Sequence, residues 1–298
     1  MGLRNRKIDP ASTPFHRRTL LHEIDLDFQR LGGLPPDWLP QLQNRYLESL
    51  DIIQQRIAAE KSHRKGGAFR LLDVGMGWGH LAVAASRLGA EVSGIDHWYG
   101  PVPLQVCQEE GLSFHDVNIE LFPLPFQDEH FDMVLFCEVI EHLNYDPAFP
   151  LSEIDRVLRP GGIMLLTTPN EGSLSNRLKR AIRRPVLGPT PESRNSSAGI
   201  IEGGRTFNYA HHRLYDPGEL GALVAKLDFK VIRCFTLHSG SHPGFLGLMR
   251  TLLERAVGLV AQGTRGIILM EAEKRGDNKE IPAHDNKKTW QDYGTDVI

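Results

Sequence analysis

Cysteine, net charge and long apolar runs are all scarce in this sequence, and each shortage removes a class of protein. The 298 residues include three cysteines, Cys107, Cys137 and Cys234. They lie far apart, are odd in number and form no Cys-x-x-Cys pair, which excludes a disulfide framework and a thiolate zinc cluster and points to a reducing cytoplasm. A formal net charge of -3 provides no global basic field of the kind a dedicated nucleic-acid binder carries. No apolar run reaches the roughly 18 uncharged residues a membrane span needs. The opening MGLRNRKIDPASTPFHRRTL has charges without an apolar stretch behind them, so neither a signal peptide nor a transmembrane helix is expected. Arg6 stands where a myristoylation signal wants Ser or Thr. Internal repeats are also missing.

What the chain does have is alternation. With hydrophobic residues at 41% and charged ones at 24%, it can bury one full-sized core. Leu42, Tyr46, Leu50, Ile53 and Ile57 recur at helical spacing and predict a packing helix ahead of the core. FRLLDVG reads as a buried strand, HLAVAASRLG as a helix stopped by Gly89 and AEVSGID as a second strand, one βαβ unit. GLSFHDVN predicts a third strand, and FDMVLFCEVIEHL a fourth that runs on into a helix. LSEIDRVLRPGGIMLLTTPN reads as helix, Pro-Gly-Gly turn and fifth strand. Five such repeats make a doubly wound α/β sheet. Further on, DPGELGALVAKL and FLGLMRTLLERAVGLV read as helices, and FKVIRCFTL and GIILMEAEK as strands. The expected organisation is a helical extension over residues 1–65, a main domain over 66–276 and a flexible polar tail over 277–298. Two inserts interrupt the main domain: a lid over 171–212, rich in Gly, Pro, Ser and Arg, and an apolar helix over 243–262.

Gly75, Gly77 and Gly79 follow the first strand at the spacing G-x-G-x-G, one residue tighter than the dinucleotide fingerprint. Glycines there let the chain turn sharply and let a ligand approach the amides at the next helix's N-terminus. Asp96, closing the second strand, is placed to accept both hydroxyl hydrogens of a ribose. Asp73, two residues before the first glycine, would repel a pyrophosphate but suits an ammonium or sulfonium. The bland reading is that Asp73 only ties the loop through backbone amides. Together the acids and glycines predict a nucleoside that is not a nicotinamide dinucleotide.

These segments resemble the class I S-adenosylmethionine-dependent methyltransferases, including ubiquinone-pathway O-methyltransferases and bacterial sugar and natural-product methyltransferases. LLDVGMGWG is similar to their first motif, GID to their second-strand acid, HDVN to their adenine-contacting turn, and FDMVLFCEVIEHL and RVLRPGGIMLLTTPN to their fourth and fifth strand signatures. The resemblance implies a Rossmann-like sheet of seven strands, parallel but for one antiparallel strand. It implies that Asp73, Gly75, Met76, Gly77 and Gly79 surround the methionine end of the cofactor, that Asp96 and His97 hold the ribose side, and that Asp116 and Val117 face the adenine. Cys137 would offer its carbonyl to the cofactor's amino group, with Glu138 beside it.

Methyl transfer from a sulfonium needs alignment and, for a hydroxyl acceptor, a base. EVIEH places Glu138, Glu141 and His142 at i, i+3 and i+4, one face of the expected helix. In one reading Glu138 caps that helix, Glu141 and His142 wall the pocket, and His142 serves as base because an imidazole titrates near neutrality. In the other, Glu138, Glu141, His142 and His212 hold Mg²⁺ or a similar ion. His211 and His212, in FNYAHHRLYD, close the lid insert and join either list of catalytic candidates. Small-RNA 2′-O-methyltransferases are similar here, pairing Glu-x-x-Glu-His with a later His.

Arg177, Lys179, Arg180, Arg183 and Arg184 crowd into NRLKRAIRR. They suit phosphates of an RNA acceptor, or else form the solvated side of a lid helix with Leu178 and Ile182 facing inward. The apolar helix with Leu248, Leu252 and Val260 is expected to bury its residues against the sheet or against a second copy in a homodimer, not to lie on a membrane. The expected acceptor is a small molecule or sugar, methylated on oxygen, with RNA as the alternative. A non-catalytic cofactor-binding relative is a third reading.

Overall fold

A computed structural model describes residues 14–30, 38–63, 67–97, 101–187, 200–202, 205–207, 210–240 and 244–276. The tail 277–298 and parts of the N-terminal extension and of both inserts lie outside them. Helices α1 (Pro14–Arg30) and α2 (Trp38–His63) precede β1 (Phe69–Val74), α3 (His80–Arg87), β2 (Ala90–Asp96), α4 (Pro101–Glu110), β3 (Ser113–Asp116) and β4 (Phe131–Cys137). Then follow α5 (Ala148–Val157), β5 (Leu158–Pro169), α6 (Leu174–Ala181), β6 (Ile200–Glu202), β7 (Arg205–Phe207), α7 (Pro217–Lys226), β8 (Phe229–Leu237), α8 (Gly244–Val260) and β9 (Ile267–Lys274). Seven strands form one sheet in the order β3-β2-β1-β4-β5-β9-β8, and β6 and β7 pair separately. β9 runs antiparallel to both neighbours, β5 and β8, and the β3 to β5 pairs are parallel. This is the expected doubly wound fold with one reversed strand.

Alternation along each strand sends side chains to two cores. Leu71, Met133, Leu135 and Leu165 meet α2, α3 and α4 on one face, through Leu50, Ile53, Ala82 and Val106. Leu72, Val134, Phe136 and Met270 meet α5 and α7 on the other, through Ile154, Leu220 and Val224. The stripe read on α2 is this contact: Leu50, Ile53 and Ile57 are fully buried. α7 begins where Asp216 accepts from the amides of Gly218 and Glu219 at 2.8 and 2.9 Å, with Pro217 in the first turn.

Three local expectations fail for identifiable reasons. EVIEH is not a regular helix: Glu138 has φ 57, and only Ile140–His142 form a single 3-10 turn. Glu138 therefore caps nothing. The regular helix begins only at Ala148, where Pro147 and the Asp146 carboxylate, accepting from the Ala148 amide at 2.9 Å, start it. The strand ladder of β5 already includes Leu158, before the Pro-Gly-Gly turn, with a register shift opposite Phe131 to Met133. Finally, Leu178 and Ile182 of α6 point outward, 51% and 64% exposed, and α8 does not bury its apolar arc against the sheet.

Ion pairs spread along α2 fasten it to the sheet. Arg45 meets Glu138 at 2.8 Å, Arg56 meets the fully buried Glu271 of β9 at 2.8 Å, and Glu60 meets Arg159 at 2.9 Å. Arg233 of β8 also reaches Glu271. Deeper still, Arg87 of α3 joins Glu110 of α4 and Asp27 of α1.

Candidate active site

The carboxyl ends of β1, β2 and β4 converge on the glycine turn. Gly75, Gly77 and Gly79 all have positive φ, at 75, 54 and 84, a region costly for other residues. A Cβ at Gly75 would stand 2.3 Å from Val139 Cγ2, so the first turn and the one after β4 are in direct contact. A Cβ at Gly77 would meet nothing within 4 Å; the space over this residue is open to a ligand. Met76 is buried beneath the turn, its sulfur 3.9 Å from Cys107 Sγ. Trp78 packs against the same core.

Asp96 holds the turn from the side. One carboxylate oxygen accepts from the Gly77 amide at 2.7 Å and the other from the His97 amide at 2.8 Å; a carboxylate oxygen can accept more than one hydrogen bond. His97 Nδ1 lies 3.0 Å from Asp116 Oδ1, tying the ends of β2 and β3. The Val117 amide donates to the Asp96 carbonyl. Asp73 is buried, and burial, then the neighbouring Asp96 charge, push its carboxyl up from 3.8 to about 7, against the pull of the Ala82 backbone N–H. The tie to the Ala82 backbone is the bland reading in part, and burial beside a second carboxylate is what favours the protonated form.

Sequence reasoning overlooked Arg45. Its guanidinium, 8% exposed, comes from α2 into this same space, pairs with Glu138 and lies 5.0 Å from the Tyr46 ring centroid. Arg45 Nε and Glu138 Oε1 are buried with no hydrogen-bond partner in the structure. Burial opposes the Arg45 charge, but Glu138 and Tyr46 hold its pKa above the ordinary value. Cys137 is no nucleophile: burial and then Asp73 push its thiol up to about 12.

Beside this lies a second cluster. Glu141, fully buried, accepts from the Thr168 hydroxyl at 2.9 Å through one oxygen, while Oε1 has no hydrogen-bond partner. Burial first, then the Glu138 charge, raise its carboxyl well above the usual range. His142 Nδ1 lies 3.2 Å from the Ala210 carbonyl, and the His142 and His211 rings meet edge to face at 4.6 Å. Ligating atoms of Glu141, His142 and His211 all lie within 4.8 Å of one another. Of the four ligands expected from sequence, Glu141 and His142 belong to this group. Glu138 is turned to Arg45 instead, and His212 is exposed and gives its backbone N–H to the Glu141 carbonyl at 2.7 Å. Thr168, like Arg45, was not singled out; its place at the end of β5 in TTPN was the available signal.

Comparison with known proteins fits this geometry. A family profile described as a methyltransferase domain matches residues 72–166. The chain belongs to the class I S-adenosylmethionine-dependent methyltransferases, whose cofactor is S-adenosylmethionine. A ubiquinone biosynthesis O-methyltransferase from Nitrosococcus oceani is 31% identical over 194 residues, covering 63% of this chain and 75% of that protein. Those of Dinoroseobacter shibae and Cereibacter sphaeroides are 39% and 37% identical over 133 residues, 42% of this chain. The chain spans about half the length of these two relatives, 53% in each case. A solved structure of a candidate sarcosine dimethylglycine methyltransferase from Galdieria sulphuraria aligns with TM-score 0.50 at 16% identity, covering 77% of this chain and 86% of that one, and shares the fold.

Proposed function

We propose that this chain transfers a methyl group from S-adenosylmethionine to an oxygen of a small hydroxylated molecule of the kind a ubiquinone pathway contains. The observation that carries the reading is the imidazole of His142 set beside a turn built for a cationic nucleoside. The residues fit that cofactor: an open face over Gly77, a buried Asp73 carboxyl beside Asp96, and an Arg45 Nε with no hydrogen-bond partner among the described residues. When bound, the cofactor supplies an electrophilic methyl on a sulfonium. Asp73 complements the positive charge, Asp96 with His97 holds the ribose side, Asp116 and Val117 hold the base side, and Arg45 takes the amino-acid carboxylate.

A neutral His142 that donates through Nδ1 to the Ala210 carbonyl turns Nε2, 4.0 Å from Glu141 Oε1, to the role of proton acceptor. That nitrogen removes the acceptor's hydroxyl proton as the oxygen becomes a nucleophile. His211 flanks it, and His212 contributes through its backbone, so the end of the 171–212 insert closes the acceptor side as a lid. The relatives' names favour a phenolic hydroxyl over a sugar. The arginines that RNA would use are partly engaged within the insert, Arg177 with the Gly172 carbonyl and Arg180 with Glu171.

A second reading has its own observation: the buried Glu141 Oε1, with no hydrogen-bond partner among the described residues and 4.0 Å from His142 Nε2, stands in one group with His142 and His211 and suits a divalent cation. The test is formation of S-adenosylhomocysteine from a catechol probe, 3,4-dihydroxybenzoate, and from methyl glucoside, with and without EDTA. Turnover of the catechol alone supports the proposal, and loss of that turnover in EDTA, restored by Mg²⁺, assigns the cluster to a metal. No turnover of any hydroxyl by protein that binds S-adenosylhomocysteine overturns it.

A further inference from the structure

The edge of the molecule at α6 and α8 breaks the burial rule that governs the rest. On α8, Leu248, Met249, Leu252 and Leu253 are about half exposed, and Leu259 and Val260 are 77% and 92% exposed. At 100° per residue they fill an arc of about 140° on one side of the helix. Arg250 and Arg255, both exposed, flank that arc. Across a cleft of about 430 Å³ lies α6, whose Leu178 and Ile182 are 51% and 64% exposed. Lys179 and Arg184 line the cleft, and Arg183 is exposed beside it. Contiguous exposed apolar surface of this extent marks a surface that binds something.

Charge decides what. Among the described residues that line the cleft the one acid is Glu254, which Arg250 already engages at 2.8 Å. Two copies of the chain meeting face to face would oppose like charges across the contact. An anionic bilayer satisfies both features at once, taking the leucines into the acyl boundary and the arginines among phosphate headgroups. No described helix is long and apolar enough to cross a membrane, so such contact is peripheral. The face is also well sited. α6 leaves β5 directly after Pro169, and Asn170 donates to the carbonyls of Gly263 and Arg265 just beyond α8, at 2.9 and 2.7 Å. Both helices therefore stand at the carboxyl-end rim of the sheet, where the acceptor must enter.

We propose that the α6–α8 face docks on an anionic phospholipid surface. The experiment is flotation of the full chain with vesicles of phosphatidylcholine, alone or mixed equally with phosphatidylglycerol, across a salt series. The chain floats with the anionic vesicles, and the bound fraction falls with salt. The double variant Leu252→Glu with Leu259→Glu loses roughly tenfold or more in partitioning per leucine, while near-ultraviolet circular dichroism and cooperative melting stay unchanged. Those two controls report folding without reference to catalysis, so the outcome is separate from the methyltransferase reading. Folded chain that does not float with anionic vesicles overturns the proposal, as does flotation that the double variant leaves intact. A dimer by light scattering that the same variant disperses, without flotation, assigns the face to a second copy instead.

Discussion

Along α2 charged side chains are buried or half-buried and paired; along α8 apolar side chains are exposed. The first arrangement is energetically expensive, since taking an ion from water costs several kcal/mol unless its partner is well placed. It does give position. Arg45, Arg56 and Glu60 each find a partner in a strand or just after one, Glu138, Glu271 and Arg159, so α2 has one register on the sheet. The second arrangement gives no register at all, because apolar surface binds any apolar surface. One helix is pinned beside the proposed cofactor site, and the other advertises an edge.

The sharpest way to test the site side of this contrast is His142→Gln. It lowers turnover by about 10²–10⁴-fold with the affinity for S-adenosylhomocysteine unchanged by calorimetry; a proportionate loss of affinity makes His142 a cofactor residue. Next comes Arg45→Met, which strands the Glu138 carboxylate and lowers stability to urea by about 3 kcal/mol. Adding Glu138→Gln recovers more than half, and failure to recover means Arg45 stabilises through packing alone.

Asp73 gives a pH signature. Its folded-state pKa, about 7, lies above its usual 3.8, so between those values the folded chain binds the proton more tightly than the unfolded one. Stability of the cofactor-free chain from this group therefore falls as pH rises from about 4 to about 7 and is flat above. Affinity for the cationic cofactor moves the opposite way, rising by up to about tenfold per pH unit towards 7. Asp73→Asn flattens both profiles, measured by chemical denaturation and calorimetry. Smaller still is Thr168→Val, which removes the hydroxyl donor of Glu141 and costs about 1 kcal/mol in stability. At the other edge, Leu259→Ser changes urea stability by no more than about 0.5 kcal/mol; a larger loss shows that the leucine is packed in solution.

The parts of the fold legible in the sequence were those with a local period. Leu71 beside Leu72 announced a strand covered on both faces, and Leu50, Ile53 and Ile57 announced a helix lying on it. Gly75, Gly77 and Asp96 were legible because turn geometry and ribose chemistry demand particular residue types. Arg45 was not, because its meaning depends on Glu138, distant in sequence, and an arginine on an amphipathic helix ordinarily faces water. EVIEH misled because helical spacing was read through a residue with φ 57. The outward face of α8 misled for a related reason: periodicity shows that a helix has an apolar side but not whether the fold supplies anything to cover it.

The contact between Gly75 and Val139 gears the two halves of the reaction together. With no side chain on Gly75 to hold the Val139 methyl away, the loop proposed to seat the methyl donor and the turn that carries the imidazole behave as one casting. A methyl group added at position 75 would thus shift the proton acceptor as well as the donor's seat, and an injury to the glycine would look, in kinetics, like a fault in the acceptor's chemistry.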